Sequence, residues 1–409
     1  MAPSRSAMCK RLFSLVAFFF LYAAMALAQL QTGETPAVLP TTHKTENVII
    51  VMLDGLRWQE VFRGADPKLI KKRSPKLLGA SAQRTSQAKE LYWRDKGDER
   101  RQALMPFLWS VIASHGQVFG NRDLHSDSHV RNKMKFSYPG YNETLTGAPD
   151  DKRIHSNKIA ANPNVTVLEW LNGKPAFRGK VAAFGAWEVF RSIFNEKRCG
   201  FVVNTGYEPL DDMPSTPELA LLNTLKGKTA RVWSDESFDP LPFYTAIEYL
   251  KVKKPRVLFI GLGETDDWAH MGAYPEYLNA IHRDDQYLEE LWTLIQSMPE
   301  YRDKTTLMVL SDHGRGGGLF FGLHAWPVPG SGQTWMAFLG PDTPARGERK
   351  LSAPVTESQI AATMAALLGE DYEAWAPKAG RAIQDVVRGE SVVAENGNAP
   401  TSAQDLNVR

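Results

Sequence analysis

The stretch Asn47-Val48-Ile49-Ile50-Val51-Met52-Leu53 is almost unbroken apolar sequence and ends in Asp54-Gly55. A strand with one wet face alternates apolar and polar residues. A continuous branched run suits a strand covered on both faces of a parallel sheet. Comparable runs occupy residues 180–187, 256–262, 305–310 and 333–339. The second of these leads into Gly263-Glu264-Thr265-Asp266, the third into Ser311-Asp312-His313-Gly314, and the last into Gly340-Pro341. Between the runs, apolar residues recur with helical spacing over 105–114, 165–172, 242–251, 275–297 and 357–368. Strands alternating with helices predict an α/β fold with a mostly parallel central sheet and helices on both faces.

Two segments interrupt the alternation. Residues 68–102 carry eleven Lys or Arg against four Asp or Glu. They read as a solvated helical face, or as a cationic surface that attracts an anionic substrate. Residues 206–240 place Pro209, Pro214, Pro217 and Pro240 around one short helix, as expected for a surface insertion or small cap. These divide a single domain over 46–389, with insertions about 64–104 and 206–240. Residues 29–45 read as a linker and 390–409 as a flexible tail. At the N-terminus, Arg5, Lys10 and Arg11 precede an apolar run from Leu12 to Ala24, then Ala26-Leu27-Ala28. This predicts a signal peptide over 1–28 and export, to the periplasm or outside the cell. An uncleaved anchor is the alternative, although the run is near the short end for crossing a bilayer. After cleavage no membrane association is expected.

The chain has 409 residues, 43% hydrophobic and 23% charged, which excludes disordered, collagenous and coiled-coil classes. Lys and Arg number 48 against 46 Asp and Glu, so no basic surface for nucleic acid is evident. The two cysteines, Cys9 and Cys199, can form neither a disulfide framework nor a Cys-rich zinc site.

Ligands of parallel α/β sheets bind beyond the carboxyl ends of the strands. Asp54, Asp266 with His270, and Asp312 with His313 all follow predicted strands there, and His324 follows a loop containing Gly314, Gly316, Gly317 and Gly318. One buried Asp can cap a helix. Three carboxylates packed together are costly unless cations neutralise them. Mixed Asp/His donors without Cys suit zinc or another divalent transition ion, and a pair of ions would clamp an in-line displacement at phosphorus. Ser137, in Phe136-Ser137-Tyr138-Pro139-Gly140, is a candidate nucleophile, a role Ser fills only when a base or metal activates it.

The order Asp, Ser, Asp-x-x-x-His, Asp-His-Gly, His resembles the alkaline phosphatase superfamily from about residue 47 to 368. The segment from Ser137 to Gly147 and the segment Glu264-Thr265-Asp266-Asp267-Trp268-Ala269-His270 are similar to the nucleophile and metal motifs of its nucleotide pyrophosphatase/phosphodiesterase branch. The resemblance implies two divalent metal ions. One would be held by Asp266, His270 and His324, the other by Asp54, Asp312, His313 and the Ser137 oxygen. It implies a phosphoenzyme on Ser137, and Asn157 as a contact to a non-bridging phosphoryl oxygen. Ser137 stands where the branch usually has Thr, and Gly140 and Tyr141 stand in place of Asn and His.

The expected substrate is a small-molecule phosphate ester, with a lean to phosphodiester or nucleotide pyrophosphate bonds. A phosphomonoesterase, a sulfatase-like hydrolase and a non-catalytic metal-stabilised binding protein are the alternatives. The sulfatase reading lacks the C/S-x-P-x-R motif, because Tyr141 stands at the Arg position. Arg57 and Arg315 could neutralise the extra charge of a monoester, or form ordinary salt bridges. His125 and His129 could add a metal site but sit in loop-like sequence, His282 reads as exposed, and His155 could touch substrate. Tyr138, Trp187 and Trp326 could wall a pocket, Trp187 more readily belonging to the core.

Overall fold

The computed structural model of the protein describes residues 43–71 and 81–387. The expected signal peptide, nearly all of the expected linker, residues 72–80 of the basic segment and the expected C-terminal tail lie outside the described residues.

The strands are β1 (Asn47–Leu53), β2 (Gln117–Phe119), β3 (Ser128–His129), β4 (Val181–Gly185), β5 (Val202–Thr205), β6 (Val257–Leu262), β7 (Thr305–Leu310), β8 (Met336–Leu339), β9 (Gly347–Glu348) and β10 (Val355–Thr356). Eight of them form one sheet in the order β5-β4-β6-β1-β7-β8-β2-β9, and β10 pairs with β3. From β5 to β7 all neighbours are parallel. The sheet changes sense at β8, which runs antiparallel to both β7 and β2.

β1 lies at the centre because its sequence can be dry on both sides. All seven residues are buried. Ile49, Val51 and Leu53 share a core with Leu258, Ile260 and Leu307 and with the long helix Tyr274–Ser297, through Tyr277, Leu278, Ile281 and Leu288. The opposite face meets the helix Ser137–Thr146 and the turn Phe190–Ile193 through an aromatic cluster. In it, Tyr141, Phe190 and Phe194 all meet Phe259 of β6. Each fully buried large apolar side chain contributes roughly 1.5–3 kcal/mol.

Two glycines make that second layer possible. A Cβ at Gly185 or Gly261, partners across β4 and β6, would lie 2.2 or 2.4 Å from the Phe190 ring. The Phe190 ring therefore sits where side chains would otherwise stand.

The basic segment forms two helices, Ser81–Tyr92 and Gly97–Leu104. Several of its cations have structural partners. Arg84 pairs with Glu276, Arg101 with Glu348, and Arg100 donates to the carbonyls of Arg63, Arg94 and Asp95. The 206–240 segment contains one long helix, Pro217–Lys228, capped by Thr216, whose side chain accepts from Leu219 N. The helix expected over 105–114 widens into a π-helical stretch at Leu108–Ile112. His282, expected to be exposed, is half-buried. Its Nδ1 donates to Leu104 O at 2.9 Å and its ring packs on Tyr92.

Candidate active site

The parallel strands β1, β6 and β7 deliver their C-terminal residues to one edge of the sheet. Asp54 follows β1, Asp312 and His313 follow β7, and the helix Glu264–His270 starts one residue after β6 and carries Asp266 and His270 on one face. The turn after β1 is held by Gly55, whose N–H donates to Asp312 Oδ1 at 3.0 Å. Gly55 has φ of +59°, and a Cβ there would lie 2.3 Å from Asp266 Oδ1, so glycine is required twice over. Thr265 Oγ1 donates to the Asp54 carbonyl at 2.5 Å and ties the helix to the end of β1.

Ser137 is the first residue of its helix. The helix comes down against the end of β7 because residue 140 is Gly. A Cβ there would be 2.3 Å from the Asp312 carbonyl oxygen. The Asn expected by family resemblance could not sit in this geometry without backbone movement. Ser137 Oγ lies 3.4 Å from His313 Nε2, and both residues are buried.

His313 Nε2 is the hub. It lies 3.3 Å from Asp54 Oδ1, 3.5 Å from Asp312 Oδ2 and 3.9 Å from Asp266 Oδ1. Its ring stacks on that of His324 with centroids 4.1 Å apart. His324 Nε2 is 3.7 Å from Asp266 Oδ1 and 2.8 Å from His270 Nε2, which is 2.9 Å from Asp266 Oδ2. The structure thus brings all seven candidate ligands together. Donor atoms of Asp54, Asp312 and His313, and of Asp266, His313 and His324, lie within 4.8 Å of one another, with His313 common to both groups. Burial grades from Asp312 and His313, fully enclosed, to His270, exposed at the mouth.

The protonation logic tests whether cations fit. A carbonyl oxygen only accepts, so the Nδ1–H groups of His270 and His313 must donate to Gly322 O and Gly314 O, at 3.0 and 2.8 Å. In the neutral rings both Nε2 atoms then carry lone pairs, turned toward carboxylate oxygens. Asp54 Oδ1, Asp312 Oδ2 and His324 Nδ1 are buried without a hydrogen-bond partner. Acceptors facing acceptors in a dry site call for a shared cation. The proton affinities agree. Burial, then the neighbouring Asp54, raises the Asp312 carboxyl well above its ordinary range. For His313, burial works downward, but Asp312 and Asp54 outweigh it and push the imidazole up to about 9. Burial, then His313 and Arg315, hold His324 below its usual value. The donor set therefore fits divalent metal ions.

Tyr141 was given no role from sequence, whereas Arg57 and Arg315 were each given two. Tyr141 stands in the Ser137 helix and donates its hydroxyl to Asp54 Oδ2 at 2.9 Å. This holds one carboxylate oxygen and leaves Oδ1 facing His313. The substitution at 141 relative to the branch motif was the available signal. Arg315 and Arg57 are both buried and engaged. Arg315 donates to Gly55 O, Phe321 O and Asp266, and burial lowers its proton affinity to about 9. Arg57 binds Glu60 and Gly316 O. Both therefore form the salt bridges foreseen as the alternative.

The remaining candidates are placed as follows. Asn157 is exposed, and its Oδ1 accepts from Tyr138 N at 3.0 Å, beside Ser137. His155 is exposed. Tyr138 and Trp187 are buried and hydrogen-bonded to Ala160 O and Asp235, whereas Trp326 projects into solvent. His125 and His129 join no group of potential ligands among the described residues.

A mostly parallel sheet with two overlapping Asp/His clusters and a buried Ser at its C-terminal edge is the architecture of the alkaline phosphatase superfamily, whose members are metal-dependent. The chain belongs to the type I phosphodiesterase/nucleotide pyrophosphatase family, whose profile matches residues 84–318. That makes it a hydrolase of phosphoric esters. The matched region includes Ser137, Asp266, His270, Asp312 and His313 but stops short of Asp54 and His324. Similar solved structures include a lipoteichoic acid synthase, LtaP, from Listeria monocytogenes (TM-score 0.52, 13% identity, 83% of this chain and 75% of that one). A second is a protein of glycosaminoglycan metabolism from Bacteroides thetaiotaomicron (0.53, 15%, 84% and 82%). A third is a 2-O glycosaminoglycan sulfatase (0.50, 14%, 85% and 75%). At these identities they share the fold. No curated protein sequence matches this one.

Proposed function

We propose that the protein is an exported phosphodiesterase that works through a phosphoserine on Ser137. The observation that carries this is Ser137 Oγ at a helix N-terminus, 3.4 Å from the His313 nitrogen common to both clusters. Asp266, His270 and His324 would hold one divalent ion, and Asp54, Asp312, His313 and Ser137 the other. Zinc suits the donors best. Bound there, the ions supply positive charge that stabilises the seryl alkoxide, the phosphoryl oxygens and the leaving group.

The chain's own residues set the geometry. The helix N-terminus favours negative charge at Ser137. Ser137 attacks phosphorus in line, the ester oxygen leaves on the opposite side, and water later hydrolyses the phosphoserine. Asn157 Oδ1 is occupied by Tyr138 N, which turns its amide Nδ2 toward use as a donor to a phosphoryl oxygen. Tyr141 fixes Asp54.

The lean to diesters rests on Arg57 and Arg315. A monoester carries one more negative charge, and both arginines are already engaged by Glu60, Asp266 and backbone carbonyls. The test is the ratio of kcat/KM for bis-aryl and mono-aryl phosphates, with an aryl sulfate alongside. A monoester preference of about a hundredfold, roughly 2.7 kcal/mol of discrimination, would overturn it. A phosphoryl group trapped on a residue other than Ser137 would overturn the nucleophile.

A further inference from the structure

The loop that carries His324 is the most apolar exposed stretch among the described residues. Leu319 is 90% exposed, Phe320 52%, Leu323 51% and Trp326 72%. Such side chains are ordinarily scattered, and a contiguous set marks a contact surface. The loop is anchored at its base rather than loose. Ala325 N and Trp326 N donate to Lys135 O and Met134 O, at 3.0 and 3.1 Å, and Gly322 O receives His270 Nδ1–H. The apolar side chains therefore stand at a fixed place beside the Ser137 opening.

The segment that carries Ser137, residues 131–158, meets this loop through Met134 and Lys135 and is cationic. Arg131, Lys133, Lys152 and Lys158 are exposed and Lys135 half-buried, and none of them joins an ion pair among the described residues. The nearby acids are occupied. Asp150 binds Arg153 and Asn164, Asp151 accepts from Lys133 N, and Glu143 accepts from the backbone of Arg131 and Asn132. Ile159, 75% exposed, follows Lys158 on this side.

From this juxtaposition we propose that the mouth of the site docks on an anionic lipid surface, with Leu319, Phe320, Leu323 and Trp326 entering the interface and the lysines meeting the headgroups. Apolar side chains with a Trp, flanked by unpaired lysines, are the composition of interfacial binding. A stable protein partner would need about 20–30 residues on each side, far more than four side chains on one narrow loop supply. The docking does not depend on the proposed chemistry, so it is read on Ser137→Ala.

Ser137→Ala should co-sediment with phosphatidylcholine vesicles containing phosphatidylglycerol, more weakly with phosphatidylcholine alone, and less at high salt. Adding the double substitution Leu319→Ser/Phe320→Ser should weaken vesicle binding at least about tenfold. In the otherwise wild-type chain, the same pair should leave turnover of a water-soluble bis-aryl phosphate unchanged. Lys133→Glu/Lys158→Glu should remove the preference for anionic vesicles. A chain that stays in the supernatant with every vesicle overturns the proposal, as does unaltered binding by the Leu319/Phe320 variant. A dimer that this variant dissociates would show instead that a second copy covers the loop.

Discussion

Buried carboxylates occur in two environments in this molecule. Glu143 and Glu60 are as deeply enclosed as Asp312. Glu143 accepts from Arg131 N, Asn132 N, Asn132 Nδ2 and Ser358 Oγ, and Glu60 from Arg57 and Tyr274. At the strand ends the pattern inverts. Asp54 Oδ1 and Asp312 Oδ2 have no donor and point at imidazole lone pairs. Glu143 lies on the same helix as Ser137, less than two turns away, so burial alone does not separate structure from function. For these four the donors do: Glu143 and Glu60, amply supplied, hold the fold together, and Asp54 and Asp312, facing acceptors beside His313, are placed to take a cation.

The largest effect should come from the unsatisfied cluster. Ser137→Ala should keep both ions and the fold while losing roughly 10⁴-fold or more in kcat. Asp312→Asn should lose an ion and nearly all turnover. With ions stripped by a chelator, however, Asp312→Asn should unfold at higher temperature than the wild type, because one repelling charge is gone. Metal content by atomic emission and melting with and without EDTA check both. Lower stability of the stripped variant would place Asp312 in the same class as Glu143.

The satisfied cluster should respond in the opposite sense. Glu60→Ala leaves the Arg57 guanidinium buried without its partner and should cost about 3–5 kcal/mol of stability, with or without metal. Urea midpoints measure this. The ion content of the folded fraction should not change. A variant that keeps its stability but loses an ion would erase the distinction.

These contrasts also explain what the sequence discloses. β1, β6 and β7 announce themselves because they are apolar on both faces, and strand ends gather whatever follows them. Asp54, Asp266 and Asp312 were therefore legible as a group. β2 and β5 were not, since three or four residues carry too little pattern. Nor was the Ser137 helix, whose Pro139 and Gly140 read as turn residues although Gly140 is there for close packing against Asp312. The direction in which Arg57 and Arg315 turn depends on Glu60 and Asp266, long-range or side-chain choices that spacing does not encode.

Tyr141 tests a single donor at the border of the two environments. It gives Asp54 one hydrogen bond and so selects which oxygen faces His313. Tyr141→Phe should keep the ring packing against Phe190 and Phe259, and so the stability, to within about 1 kcal/mol. Ion affinity, read by competition with a chromogenic chelator, should fall about 10–100-fold, as for other groups that orient ligands. Unchanged affinity would mean that Asp54 is fixed by its backbone contacts to Thr265 Oγ1 and Leu262 O alone.

Asp285 supplies the mildest case, a carboxylate with one donor for each oxygen and no cation. It accepts from Phe107 N and Leu108 N at 2.7 and 2.9 Å and caps the turn before the π-helical stretch. Burial outweighs those two bonds and raises its proton affinity to about 7. The ordinary carboxylate value is about 4, so between pH 4 and about 7 the folded chain keeps a proton that the unfolded chain releases. Unfolding then frees a proton, and stability falls as pH rises through that window and levels off above it. Asp285→Asn should remove this decline, by at most about 1.4 kcal/mol per pH unit, while still accepting one backbone N–H. Urea midpoints of the two proteins, compared at pH 5 and pH 8, read the difference. Equal pH dependence would mean that the two backbone donors suffice to keep Asp285 ionised, and that two donors already place a buried carboxylate in the satisfied class.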